Sequence, residues 1–443
     1  MTIGIGLLGL GTVGAGVAQI LASPQGRHPL VAQLALRRVA VRDLQRPRPI
    51  DLDPALLTTE PEVVIDDPAV EIVVEVMGGL EPARALILRA IAAGKPVVTA
   101  NKAVIARYGE EIAAAAAARG VYVLIEAAVG GGIPIIEPLK QSLGANRIQR
   151  VSGIINGTTN YILSRMADEG AAYGEVLADA QRLGYAEADP AADVQGGDAA
   201  DKIAILASLA YGGVVPREAI PTSGIDRLDA RDVAYAEQLG YGVKLLAVAE
   251  QVGLAADGAA ELDVSVNPTL LPRDHPLAGV HGVNNAILVE GDPVGRVMFY
   301  GPGAGAGPTA SAVVADILNI AGIRQVSGVA SSGQPAPLDP LLAAGSWRPC
   351  RLVDPAQTHH RNYVRLRTSD QAGVIGRIGT CFGDAGVSLQ SIVQFQSPAG
   401  SEGGEAEIVV ITHQVSEAAF RTAMAAIEAL PVVDHVAACL RTL

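Results

Sequence analysis

The chain has 443 residues, 49% of them hydrophobic but only 3% aromatic, and a formal net charge of −13. That length exceeds what one compact core serves and predicts two or three domains. The acidic balance excludes nucleic acid and anionic membrane as partners. Cys350, Cys381 and Cys439 show no metal or redox spacing, and no signal-peptide pattern or apolar run of membrane-spanning length is read, so a cytoplasmic location is expected.

Residues 3–8 read as a strand, 13–21 as a helix, 34–41 and 72–75 as strands. Residues 84–93 then read as a helix, 96–99 as a strand, 111–119 as an Ala-rich helix and 121–126 as a strand. This βαβ cadence predicts a parallel, doubly wound sheet over residues 1–135. Gly9-Leu-Gly-Thr-Val-Gly14 follows the first strand and opens the first helix. Gly9 allows the tight turn, Gly11 lets backbone approach a pyrophosphate, and Gly14 lets helix and strand pack closely. At that position the motif predicts a Rossmann-type dinucleotide-binding domain. The second strand ends VRD: Arg42 suits the 2′-phosphate of NADP, while Asp43 keeps NAD use open. A solvated basic edge is the plainer alternative for Arg42.

From 136 to 300, helices at 173–183 and 198–211 mix with strands at 261–266 and 286–290, which reads as an α+β domain. The run GPGAGAGPTAS (301–311) opens a helix at 312–320, and residues 301–330 are expected to complete the first domain. Residues 331–361 begin rich in Ser, Gly and Pro and read as a linker. After it come a strand at 362–368, a helix at 374–385, strands at 387–395 and 405–413, a helix at 417–429 and a strand at 432–440. The order βαββαβ over 362–443 predicts a ferredoxin-like unit.

The chemistry concentrates in residues 186–202, AEADPAADVQGGDAADK. Asp198 and Lys202 are four apart at a helix start and share a face, which continues into the apolar Ile205 and Leu209. A plain surface pair of that kind contributes ~0.3–0.5 kcal/mol. It does not account for Glu187, Asp189, Asp193 and Asp201 close by. Carboxylates fix the ammonium of a small amino-acid substrate, and a lysine can protonate the alkoxide that hydride delivery to an aldehyde creates. Lys102 in TANK (99–102) follows a strand, whose carboxyl end faces the ligand crevice of such a sheet; an ordinary helix-start lysine is the alternative.

Taken together, GLGTVG, VRD, TANK, EAAVGGGIPII (126–136), GIINGTTNYIL (153–163), LGYAEADPAADVQGGDAADKIAILA (183–207) and YGPGAG (300–305) resemble homoserine dehydrogenases. The resemblance implies interconversion of aspartate 4-semialdehyde and homoserine with NADP or NAD, and a substrate-binding and dimerisation role for 136–300. It implies that Lys202 donates the proton to the substrate carbonyl oxygen, with Lys102 an alternative acid/base that also contacts the cofactor. Glu187 and Asp198 would bind homoserine, with Asp193 supporting them. Thr12, Val13, Gly184 and Gly303 would contact the cofactor, as would Glu187. Glu126, Val129, Gly131 and Ile133 would hold a monovalent cation, Na+ or K+, three of them through backbone carbonyls.

The tail resembles an ACT domain, with Asp370 before a turn, Gly373 opening a helix, and Ser388 where amino-acid-binding members have Asn. This implies a threonine effector at Asp370 and Gly373 and a homodimer or homotetramer; a purely assembling tail is the alternative. A phosphorylating semialdehyde dehydrogenase would need a cysteine nucleophile, and all three cysteines lie in the linker or the tail. A non-catalytic sensor would have no use for both lysines and the carboxylate cluster.

Overall fold

The first unit is built from short strands whose neighbouring residues point to opposite, equally apolar faces. The computed structural model describes residues 2–326, 348–396 and 405–443. In chain order its elements are β1 (Ile3–Leu8), α1 (Thr12–Ala22), β2 (Leu34–Ala40), β3 (Leu57–Thr58), α2 (Pro61–Asp66), β4 (Ile72–Glu75), α3 (Ala83–Ala92), β5 (Val97–Thr99), α4 (Lys102–Arg119) and β6 (Val123–Leu124). The strands are parallel in the order β3-β2-β1-β4-β5-β6, the doubly wound arrangement read from the sequence. Leu7, Val74, Val98 and Leu124 enter one core with α1, while Leu8, Val73, Val97 and Val123 enter the other with α2, α3 and α4. Both faces are therefore covered, as a parallel sheet requires. Helix α4 starts earlier than the Ala-rich run suggested, because the Asn101 side chain caps it by accepting the Val104 N–H. Strand β6 is shorter than expected: the backbone turns into a 3-10 segment at Glu126–Ala128.

The middle of the chain contributes β7 (Arg147–Ile154), α5 (Gly157–Glu169), α6 (Tyr173–Arg182), α7 (Ala191–Val194), α8 (Gly197–Tyr211), β8 (Gly213–Val214), α9 (Ala230–Gln238), β9 (Tyr241–Leu254), β10 (Ala260–Pro272), β11 (Asn284–Asp292), β12 (Gly295–Pro302) and α10 (Ala306–Val326). Strands β7 and β9 to β12 pair antiparallel in the order β12-β11-β7-β9-β10. Helix α8 lies deep: every residue from Asp198 to Ser208 is buried. A helix enclosed all round shows no clean amphipathic stripe, and the plain surface-pair reading of Asp198 and Lys202 falls with it. Helix α10 returns to the first unit, with Val313, Ile317 and Ile320 joining the core of α1 and β1. A Cβ on Gly16 would lie 2.7 Å from the Ala306 carbonyl oxygen, so α1 and α10 are nearly in backbone contact. The expectation that no run reaches membrane-spanning length needs correcting here. Ala306–Arg324 is long and apolar enough by composition to cross a membrane, but half of it is buried inside the fold.

The tail comprises β13 (Arg348–Leu352), β14 (His359–Ser369), α11 (Val374–Asp384), β15 (Leu389–Gln396), β16 (Glu405–Thr412), β17 (Val415–Ser416), α12 (Glu417–Glu428) and β18 (Val433–Thr442). Its sheet runs β18-β14-β16-β15, the expected ferredoxin-like order. Two features depart from the sequence reading. Residues 348–361, assigned to the linker, contain β13, paired parallel with β10, and the first residues of β14; residues 331–347 of that linker lie outside the described residues. A run as short as RPCRL carries no strand signal of its own and becomes a strand because an edge of β10 is available. Second, β18 also pairs with β10, Thr269 opposite Arg441, so the sheets of the middle unit and the tail are continuous.

A buried charge network closes this seam. Arg365 on β14 donates to Asp232 Oδ1 at 2.7 Å and Oδ2 at 3.2 Å, and to Glu407 Oε1 at 3.0 Å. From α9, Arg231 and Tyr235 donate to Glu407 at 2.6 and 2.5 Å. Asp232 also completes the capping box of α9 by accepting the Asp229 N–H. Arg365, Asp232 and Glu407 are all buried. Removing one partner of such a pair leaves an uncompensated interior charge. Arg365→Ala is therefore expected to lower the unfolding free energy by about 3–5 kcal/mol, read from urea midpoints. A loss no larger than that of an exposed arginine would show that something else seats the tail.

Candidate active site

The dinucleotide end forms where β1 runs into α1. Gly9 has φ +105° and packs so closely that a Cβ would sit 2.9 Å from the Val76 carbonyl oxygen. A Cβ on Gly14 would lie 2.2 Å from the Gly9 carbonyl oxygen, so the turn closes only with glycine there. Gly11 faces open space and begins α1 without a side-chain cap, leaving that helix's N–H groups and positive end facing outward. Thr12 is exposed and Val13 half-buried in the first turn. Arg42 is exposed just past β2 and is free of hydrogen bonds and ion pairs among the described residues, whereas Arg38 is held by Asp67 at 2.8 Å. Asp43 is exposed and accepts the Gln45 N–H.

The ends of β4 and β5 are tied together by residues the sequence reading passed over. The buried Glu75 accepts the Met77 N–H at 2.7 Å and the Thr99 hydroxyl at 2.7 Å, and Asn101 donates to the Gly79 carbonyl at 2.8 Å. Burial pushes the Glu75 carboxyl up, against the pull of these donors. The strand end at Glu75 and the TANK run were the available signals. This tie sets the start of α4, and so the position of Lys102.

Asp198 lies between two lysines. Lys202 Nζ donates to its Oδ2 at 2.7 Å and also to the Ile155 carbonyl at 2.6 Å; Lys102 Nζ is 2.9 Å from Oδ1. Burial alone would push the Asp198 carboxyl up, but the Lys202 and Lys102 ammoniums outweigh it and hold it far below the usual range. The Asp198 charge in turn raises Lys102, against the effect of its own burial. Asn156 donates to Asp198 Oδ2 at 2.9 Å and to Asp193 Oδ1 at 2.7 Å, and Thr158 Oγ1 is 3.1 Å from Asp193 Oδ2. Of these groups Lys102, Asp193 and Asp198 line an open cleft with Glu187, Asp189, Asp201, Arg107 and Arg217, and Lys202 and Asn156 are joined to it through Asp198. Arg107 and Arg217 both donate to Asp201 Oδ1, at 3.2 and 2.8 Å. Asn156, Arg107 and Arg217 had no marker in the sequence beyond the motif around Asn156, because their partners come from other elements.

Around the EAAVGGGIPII run, Glu126 is buried and its two oxygens accept the N–H groups of Ile135, Ile136 and Glu137 at 2.6, 2.9 and 2.7 Å. Burial pushes this carboxyl up and the three donors pull it down. Val129 and Ile133 are buried in the glycine turn, and a Cβ on Gly131 would lie 2.4 Å from the Gly303 carbonyl oxygen. Gly303 in turn abuts Asn285. Among the described residues no cluster of three His, Cys, Asp or Glu side chains could hold a metal. A carboxylate with peptide oxygens would suit only a hard cation, and both Glu126 oxygens already accept peptide N–H groups.

The structure thus brings Lys102, Glu187, Asp193 and Asp198 to one cleft, with Lys202 buried against Asp198, and sets Gly131 against Gly303. Gly184 is exposed with φ +77° in the loop leading to Glu187. Asp370 and Gly373 stand apart on the tail. Asp370 is exposed and accepts from Gln394 Nε2 at 3.0 Å, and Gly373, at φ +90°, opens α11.

Residues 9–126 match the family described as homoserine dehydrogenase, NAD binding domain, 134–318 match homoserine dehydrogenase, and 362–432 match the ACT domain. A homoserine dehydrogenase of Synechocystis is 56% identical over the full length of both chains. The crystal structure of a homoserine dehydrogenase from Thiobacillus denitrificans is 41% identical with a TM-score of 0.88, covering 100% of this chain and 98% of that one. A hyperthermophilic archaeal homoserine dehydrogenase in complex with NADPH is 29% identical with a TM-score of 0.60, covering 72% of this chain and 98% of that one. A dinucleotide fold, a lysine-flanked buried carboxylate beside it and this full-length similarity agree: the chain belongs to the homoserine dehydrogenase family and is an oxidoreductase acting on a CH–OH group.

Proposed function

We propose that the cleft around Asp198 reduces aspartate 4-semialdehyde to homoserine reversibly, with Lys202 as the proton donor. The observation that carries this reading is a single buried carboxylate shared by two lysines, in a cleft holding further carboxylates. The nicotinamide supplies the hydride when bound. Lys202 protonates the alkoxide that develops on the substrate, and Asp198 keeps Lys202 and Lys102 charged and aimed. Glu187 and Asp193, with Asp198, take the substrate ammonium. Gly9, Gly11, Thr12, Val13, Gly14, Gly184 and Gly303 line the path of the cofactor, which Lys102 and Glu187 also touch. Glu126 and the carbonyls of Val129, Gly131 and Ile133 hold a Na+ or K+ ion beside the Gly303 loop. Domain limits near 135 and 300 and a cytoplasmic location belong to the same reading.

Lys202→Ala is expected to cut kcat by roughly 10²–10⁴-fold while changing KM for homoserine far less, because the lost contact acts mainly on the transition state. Steady-state rates with homoserine check this, and a near-normal kcat would hand the proton to Lys102.

The free guanidinium of Arg42 supports NADP as the preferred cofactor, through the 2′-phosphate. Arg42→Ala should weaken NADP by about 10–100-fold and leave NAD nearly unchanged. Equal losses for both cofactors, in parallel titrations, would reduce Arg42 to a shaper of its loop.

The tail senses threonine at the Asp370–Gly373 turn in a homodimer or homotetramer. Such inhibition needs a coupling free energy of about 1–3 kcal/mol between effector and substrate states, and the continuous β10–β18 pairing and the Arg365 network support a path for it. Because these contacts cross the seam, deleting the tail would expose a strand edge and strand Asp232, so a point variant is the cleaner probe. Asp370→Ala should raise the half-inhibitory threonine concentration without changing the uninhibited rate. An unchanged threonine response would move the effector to the catalytic cleft and leave the tail an assembly module.

A further inference from the structure

Residues 153–163, GIINGTTNYIL, bring no charged group to the cleft, yet two consecutive residues of the run touch its chemistry. The Ile155 carbonyl accepts from Lys202 Nζ at 2.6 Å. The next residue, Asn156, donates from Nδ2 to Asp193 Oδ1 at 2.7 Å and to Asp198 Oδ2 at 2.9 Å. An amide nitrogen has two hydrogens, and both are spent on carboxylates from different segments. Its other end is also held: Asn156 Oδ1 accepts from the Thr159 N–H at 2.9 Å and the Thr159 hydroxyl at 3.0 Å, at the N-cap of α5. The side chain is buried, and these partners fix which way the amide faces.

We propose that Asn156 is the positioning residue of the reaction centre. Its amide ties Asp193, on the substrate side, to Asp198, on the lysine side, so that the group fixing the substrate and the proton-donating pair keep one spacing. The inference rests on the roles given above to Lys202, Asp193 and Asp198. The charged groups in contact with Asp198 are Lys202 from α8 and Lys102 from α4; Asp193 from α7 is joined to it through Asn156, with Asp201 and Glu187 further along the same cleft. Between the two carboxylates Asn156 is the neutral donor they share. Without it they meet as like charges, and that unshared negative charge strengthens their grip on the protons of the lysine pair, which must be free to accept one when homoserine is oxidised.

The local geometry offers a way to separate this role from helix capping. Serine and aspartate cap a helix about as well as asparagine, so Asn156→Ser and Asn156→Asp retain the start of α5. Serine cannot reach either carboxylate, and aspartate presents an acceptor where they need a donor. For N156S, kcat/KM for homoserine is expected to fall on the order of 10²-fold, with the acid limb of its pH profile moved to higher pH. The melting temperature and NADPH binding, followed by cofactor fluorescence, should stay near the parent's. N156D should lose more activity and shift the limb further. Parental kcat/KM in a folded N156S overturns the proposal, as does an unshifted acid limb in both variants. If N156S melts early, N156D decides: folded with the parental profile, it overturns the proposal equally. Lys202→Ala measured alongside keeps the two readings apart. A normal kcat there sinks the role of Lys202, whereas a normal N156 series beside an inactive K202A sinks only the inference about Asn156.

Discussion

A carboxylate largely withdrawn from water must find cations or donors, and Asp198 finds three on three elements. Lys202 comes from its own helix, Lys102 from the first turn of α4, and the Asn156 amide from the turn before α5. An unpaired charge at that depth would be prohibitively costly or would neutralise itself. The pairing therefore does more than prepare a proton donor. It fixes where the dinucleotide unit, which owns α4, meets the middle unit, which owns α8. Because these charges are set before substrate arrives, little reorganisation remains for the reaction itself.

The cofactor side obeys a steric constraint. The parallel sheet opens its crevice at the carboxyl ends of β1, β4 and β5, beside the point where strand order reverses. At that rim the backbone is drawn in by glycines and by the Glu75–Thr99 bond, which leaves the uncapped start of α1 facing the opening. The Gly131 and Gly303 turns close against each other on the far side, so the strand exit after β6 and the entry to α10 share one wall. Side chains larger than hydrogen at these positions would move backbone rather than side chains.

The tail is joined to the catalytic half more tightly than a tethered module. β18 and β13 both pair with β10, and Tyr363, Val409, Ile411 and Leu440 from the tail sit in the same core cluster as α8 and β9. Arg365 crosses the seam with its guanidinium buried against Asp232 and Glu407. Fully paired charge networks with buried members tolerate few alternative geometries. A shift of β14 or β16 must therefore be passed on to α9, which packs beneath β9.

The sequence by itself determined the units, their order and most of their elements, because helical and strand periodicity are local properties of the chain. It also determined the fingerprint at Gly9–Gly14 and the spacing of Asp198 and Lys202, since a helix places residues four apart on one face. The long antiparallel strands β7, β9 and β12, the strand inside the supposed linker and the depth of α8 were not legible. Each depends on a partner distant in sequence, and β13 becomes a strand because β10 and β8 both offer it an edge. The same holds at the site. Nothing local to Asp198 announces Lys102 or Asn156, and nothing local to Glu126 shows that its oxygens gather three peptide N–H groups. Only the tertiary structure decided these, because burial turns a solvated charge into one whose every partner must be supplied by whatever elements pack around it.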